Sequence, residues 1–183
     1  MKTPHIITVA GVSVVLLLAG CSMTRGLPNP AVPESLKVPD TQTLLLESQA
    51  TGVQIYVCQA NKDDPAKFEW TLKAPEAELF DSSGRQTGKH YAGPTWEAND
   101  GSKVIGEVKA RDPGPDPQAI PWLLLGAKST SGNGVFSNVQ SIQRVRTVGG
   151  KAPADGCSQA QAGQETRVNY KATYYFYIAK GSR

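Results

Sequence analysis

Val168-Asn169-Tyr170-Lys171-Ala172-Thr173-Tyr174-Tyr175-Phe176-Tyr177-Ile178 is the stretch that decides the fold class. Read at period two, Val168, Tyr170, Ala172, Tyr174, Phe176 and Ile178 share one face, and Asn169, Lys171, Thr173, Tyr175 and Tyr177 share the other. A helix would scatter both sets, whereas successive side chains of a strand point to opposite sides. The aromatic and β-branched residues also suit a pleated sheet. The second face ends in Tyr175 and Tyr177. Either they are half-buried under a loop or second layer, or they form an exposed aromatic platform for a ligand.

Working outward, the same alternation recurs. Val53, Ile55 and Val57 oppose Gln54, Tyr56 and Cys58, and residues 43–47 read as a preceding strand with Ala50-Thr51-Gly52 as the turn between them. Phe68, Trp70 and Leu72 alternate, and residues 77–80 form a further short apolar piece ended by Asp81-Ser82-Ser83-Gly84. Residues 103–111 alternate through Val104 and Val108, with a break at Ile105-Gly106 that predicts a bulge. Residues 122–128 read as a buried strand or a short helix, and residues 139–148 as another strand. Long helical periodicity is absent, and glycine and proline recur every few residues. The expected fold is all-β: a single β-sandwich or barrel-like domain with long loops, spanning 41–183.

The amino terminus carries a different signal. Lys2 precedes residues 6–19, which are uncharged and mainly apolar. The run has the length of a signal-peptide h-region and falls short of the ~20 residues a spanning helix needs. It closes on Leu18-Ala19-Gly20-Cys21, which resembles the lipobox of bacterial lipoproteins. That resemblance implies cleavage after residue 20 and lipidation of Cys21. The alternative is an ordinary signal peptide in which Cys21 is incidental. Ser22 in place of Asp implies, by resemblance to lipoprotein sorting rules, an outer-membrane address facing the periplasm. The expected organisation is a signal over 1–20, a lipidated cysteine and proline-rich tether over 21–40, and the β domain. Pro28, Pro30, Pro33 and Pro39 favour an extended tether, free or partly packed near Val38. The lipid on Cys21 is then the expected membrane attachment.

Composition narrows the partners. A net charge of +3 without any dense Lys/Arg run argues against nucleic acid. With Cys21 lipidated, Cys58 and Cys157 remain, and in an oxidising compartment two cysteines pair. The rival reading is two separate buried thiols.

Four stretches carry a family resemblance: Gly52-Val53-Gln54-Ile55-Tyr56-Val57-Cys58; His90-Tyr91-Ala92-Gly93-Pro94-Thr95-Trp96 with Asp100-Gly101-Ser102; Ile120-Pro121-Trp122-Leu123-Leu124-Leu125; and Ile142-Gln143-Arg144-Val145-Arg146-Thr147 before Gly149-Gly150. Together they resemble a secreted domain-of-unknown-function family of bacteria and fungi, DUF3455, from about residue 33 to residue 179. The resemblance implies no activity. Some fungal relatives bear a malate dehydrogenase label, which the residues do not support: Gly132-Asn133-Gly134 lacks the strand–GxGxxG–helix setting that admits a pyrophosphate. An NAD-dependent dehydrogenase is therefore disfavoured, and no cofactor is expected.

The inventory for chemistry is thin. His90 is the one histidine after the leader, with Glu97 and Asp100 near it in sequence. A histidine oriented by a carboxylate can exchange protons near neutral pH, so His90 with Glu97 or Asp100 is the candidate catalytic set. The plainer reading is a loop histidine bonded to a backbone carbonyl. No serine stands in a GxSxG elbow, and a zinc site would need several carboxylates beside one histidine, so no metal is expected. Asp112-Pro113-Gly114-Pro115-Asp116-Pro117 lacks EF-hand ligand spacing and reads as a stiff loop. Trp96 and Trp122 either stack on a ligand or fill the core. Arg144 and Arg146, two apart, share one face if their segment is a strand, as an anion site or as solvated charges. The sequence thus points to a lipid-anchored envelope protein whose β domain binds a ligand or partner. The alternatives are an extracytoplasmic enzyme using His90 and a purely structural lipoprotein.

Overall fold

The computed structural model describes residues 28–182. The expected signal segment, Cys21 and the first part of the tether lie outside the described residues.

The secondary structure of the described residues is almost entirely β. Eight antiparallel strands follow one another around a closed barrel: β1 Gln42–Ala60, β2 Phe68–Phe80, β3 Gln86–Tyr91, β4 Thr95–Ala98, β5 Lys103–Asp112, β6 Trp122–Ser131, β7 Val139–Gly149 and β8 Glu165–Ala179. Each strand pairs with its chain neighbour. Ring closure comes from β8 pairing with β1, from Gln42↔Ala179 through Val57↔Glu165. Among the described residues, two short 3-10 helices, Glu34–Leu36 and Gln159–Gln161, complete the secondary structure. Among the described residues no helix is long and apolar enough to cross a membrane.

β8 alternates as its sequence predicts. Tyr170, Ala172, Tyr174 and Phe176 join the interior cluster with Trp96, Leu123, Leu125 and Ile142. Tyr175 and Tyr177 point outward into a second cluster with Val145, and neither forms an exposed platform: they are 2% and 1% accessible. Their cover is the segment before β1. Val32 and Val38 pack against them, Leu36 is fully buried, and Gln143 ties the layers together. Its Nε2 donates to the Leu36 carbonyl at 2.6 Å, and its Oε1 accepts from the Tyr177 hydroxyl at 2.6 Å. Residues 28–40 are thus partly packed on the barrel.

Two local expectations change. The turn expected at Ala50-Thr51-Gly52 is absent, and β1 runs unbroken through it. Gly52 is there because the neighbouring strand β2 crowds it. A Cβ would stand 2.1 Å from the Glu76 carbonyl oxygen and 2.4 Å from the Ala77 Cα, so no larger residue fits against β2 here. Arg144 and Arg146 do not share a face. Arg146 has φ +50°, and the β7–β8 register shifts between Val145 and Val148, so the alternation fails there. Arg146 lies over the outer Tyr175 ring at 5.7 Å, while Arg144 turns inward. The bulge predicted at Ile105-Gly106 is present. Segments 77–80 and 68–72 belong to one strand.

The Cys58–Cys157 disulfide is formed, with Cα atoms 5.4 Å apart. It joins the end of β1 to the β7–β8 loop, where the Tyr56 hydroxyl also donates to the Gly150 carbonyl at 2.6 Å.

Candidate functional site

The predicted catalytic set is not brought together. His90 and Trp96 face each other across the β3–β4 pair, while Lys89 and Glu97 occupy the neighbouring register position. Alternation therefore sends His90 and Trp96 into the barrel and Glu97 out of it. Outside, Glu97 accepts from the Tyr91 hydroxyl at 2.7 Å and sits 3.3 Å from Lys103 Nζ and 3.6 Å from Lys89 Nζ. The Tyr91 bond, and then the two lysines, hold its carboxyl below the usual range. Asp100 clips the β4–β5 turn to the β6–β7 loop. It accepts from the Ser102 hydroxyl at 2.6 Å, the Ser102 amide at 2.9 Å and the Val135 amide at 2.8 Å. These bonds, with Ser102 first, hold it below its ordinary value. Neither carboxylate orients His90.

His90 is 2% accessible. Its Nδ1 lies 2.8 Å from the Thr95 carbonyl. A carbonyl can only accept, so Nδ1–H donates and Nε2 keeps its lone pair. Burial pushes its pKa down to about 3, the Thr95 bond opposes that shift, and the charge of Arg144 adds to it. At neutral pH this is an uncharged imidazole in the wall of a cavity.

That cavity, of about 400 Å³, is the feature that sequence reasoning missed. Eight-stranded barrels have interiors that are either filled by side chains or just wide enough for one small ligand. Here the lower interior is packed, and the upper part opens past Leu72 and Val108, large apolar residues left 51% and 40% exposed. Inside, Pro75, Ile120, Leu123 and Leu125 supply apolar wall, and Gln54, Tyr56, His90, Trp96, Arg144 and Tyr174 supply polar groups. Several of these polar groups have no partner. Gln54 Nε2, Trp96 Nε1 and the Tyr174 hydroxyl are buried without a hydrogen bond, as is the Tyr170 hydroxyl beside them. Tyr170 and Tyr174 affect each other's ionisation, but burial dominates and raises both, so both stay neutral.

Each of the four stretches that carry the family resemblance supplies part of this wall: Gln54 and Tyr56; His90, Gly93, Pro94 and Trp96; Ile120, Pro121, Leu123 and Leu125; and Arg144. One signal was available. On β1, the polar Gln54 and Tyr56 alternate against the apolar Val53, Ile55 and Val57, and the polar set is the one facing the interior. A cavity lining explains that inversion, and a dry core does not.

Trp122 lies in the outer cluster, partly buried, and is not part of the cavity. No group of three or more His, Cys, Asp or Glu side chains that would hold a metal occurs among the described residues. A family model described as a protein of unknown function, DUF3455, matches residues 39–178. No curated protein and no solved structure matches the chain.

Proposed function

Because the chain belongs to the DUF3455 family of proteins of unknown function, which comes with no activity, we propose a role from its own geometry: a lipid-anchored envelope protein whose barrel takes up a small molecule through the opening framed by Leu72 and Val108. The observation that carries the binding half is the set of buried, unpartnered groups, Gln54 Nε2, Trp96 Nε1 and the Tyr174 hydroxyl, around one open cavity. Leaving a buried donor unsatisfied costs about 1–3 kcal/mol. A bound molecule that bonds these groups offsets that cost, and a cavity of this size lies in the range of small-ligand sites.

The envelope half rests on Leu18-Ala19-Gly20-Cys21 after an apolar run. The Cys58–Cys157 disulfide fits an oxidising compartment. Acyl chains on Cys21 would anchor the domain, at ~0.8 kcal/mol per buried CH₂, and the segment over 21–40 would link it to the outer membrane.

The test uses N-phenylnaphthylamine, a neutral probe whose fluorescence rises in apolar surroundings. The purified protein should bind it saturably at one site, and Val108→Trp, which fills the opening from an exposed position, should weaken that binding. Absence of saturable binding, or binding indifferent to Val108→Trp and Leu72→Glu, would overturn the reading.

A further inference from the structure

The charge around the cavity is one-sided. Among the described residues, the charged side chains that line it are Lys73, Arg111 and Arg144, with no carboxylate. Lys73 is engaged outside the barrel by Glu165. The two arginines are not so engaged. Arg144 spends Nε and Nη2 on the Pro121 carbonyl, at 3.2 and 2.8 Å. Among the described residues neither Arg144 nor Arg111 has a carboxylate within ion-pair distance.

Their placement is specific. Arg111 pairs with Leu123, Leu123 with Arg144, and Arg144 with Tyr174. The four residues therefore form one row on the cavity side of β5, β6, β7 and β8, with Tyr174 and Leu123 buried, Arg144 half-buried and Arg111 exposed. With strands about 4.8 Å apart, the two arginine Cα atoms are separated by about 10 Å, close enough for both guanidinium groups to meet one anion above Leu123. The Pro121 carbonyl fixes the Arg144 plane and leaves Nη1 to donate.

The neighbours do not neutralise this charge. His90, Tyr56, Tyr170 and Tyr174 all feel Arg144, and all are uncharged at neutral pH, the histidine by a lowered pKa and the tyrosines by raised ones. A half-buried guanidinium met only by neutral groups is costly unless an anion completes it.

Resting on the reading of the cavity as a ligand site, we propose that its ligand is a small, largely apolar molecule bearing one anionic oxygen head of the carboxylate class. Arg144 and Arg111 hold the head, and the body lies against Leu72, Val108, Leu123 and Leu125. A cationic ligand has no counter-charge here, and the Trp96 face is covered by His90, so no aromatic cage is open to it.

The experiment competes bound N-phenylnaphthylamine with naphthoate and with naphthamide, its neutral isostere. Naphthoate should compete about 10-fold more tightly, as charge-assisted bonds to arginine exceed neutral ones. Arg144→Gln should remove that advantage and leave naphthamide within about 2-fold, and Arg111→Gln should lower it by about 3-fold. Among the described residues the Arg111 side chain makes no hydrogen bond, so its variant decides the matter if Arg144→Gln folds poorly. Equal competition by the two compounds, or naphthoate affinity unchanged in Arg111→Gln, overturns the anionic head while leaving the ligand site standing. Failure of the probe itself to bind removes the ligand site as well.

Discussion

His90 lies flat against Trp96, with ring centroids 4.3 Å apart and planes 13° from parallel. The Tyr174 ring meets His90 edge-on at 5.2 Å. This three-ring stack forms the floor of the cavity and holds an uncharged imidazole.

The stack makes stability depend on pH. His90 has a folded pKa of about 3 against an ordinary value of 6.5, so acid protonates the unfolded chain first. Its contribution is fully present above about pH 6.5 and is lost as pH falls from there towards 3. The slope approaches about 1.4 kcal/mol per pH unit. Urea unfolding should therefore show lower stability near pH 5 than near pH 7, a range above that in which ordinary carboxylates protonate. His90→Gln should flatten the difference, and a wild-type midpoint equal at the two pH values would contradict the buried neutral histidine.

Cys58 and Cys157 are 99 residues apart in sequence, and closing so long a loop removes chain entropy worth about 4–5 kcal/mol on a chain-entropy argument. Cys58→Ser with Cys157→Ser should lower the urea midpoint accordingly, or prevent folding. Non-reducing peptide mapping should join the two peptides. Free thiols in both positions of the native protein would remove the staple.

Leu36 is fully buried although it precedes the barrel. Leu36→Ala should cost about 2–5 kcal/mol, as for other buried leucines. Removing residues 28–38 should uncover Tyr175 and Tyr177 and raise the binding of an apolar dye to the outer surface. A truncated protein with unchanged stability and dye binding would show that this segment is dispensable.

Cys21→Ala should release the protein from membranes. Cell fractionation with mass analysis of the amino-terminal peptide reads this directly, and membrane retention without an acyl mass would defeat the lipidation.

The fold class was legible because β8 is long enough for period two to be unambiguous. Choosing a barrel over a sandwich was not, because closure depends on β1 meeting β8 across the length of the domain, and no local pattern records that pairing. Gly52 misled for a related reason. Its neighbours in sequence suggest a turn, while its neighbours in space, Glu76 and Ala77, demand the missing side chain. The site was legible only in pieces. His90 and Trp96 stood out by residue type, but their partners in the wall, Arg111, Arg144, Gln54 and Tyr56, come from other strands. Arg144 faces the cavity through its pairing with Leu123 and Tyr174, and the backbone torsion at Arg146 breaks the alternation that would have put Arg146 beside it.

Pairing β8 onto β1 has one more result. A sheet that ends in open strands presents a row of bare amides and carbonyls, a template for stacking between molecules. In a ring joined from Gln42↔Ala179 to Val57↔Glu165 the first and last strands satisfy each other. Along that seam neither strand leaves a bare edge for a second copy of the domain to extend.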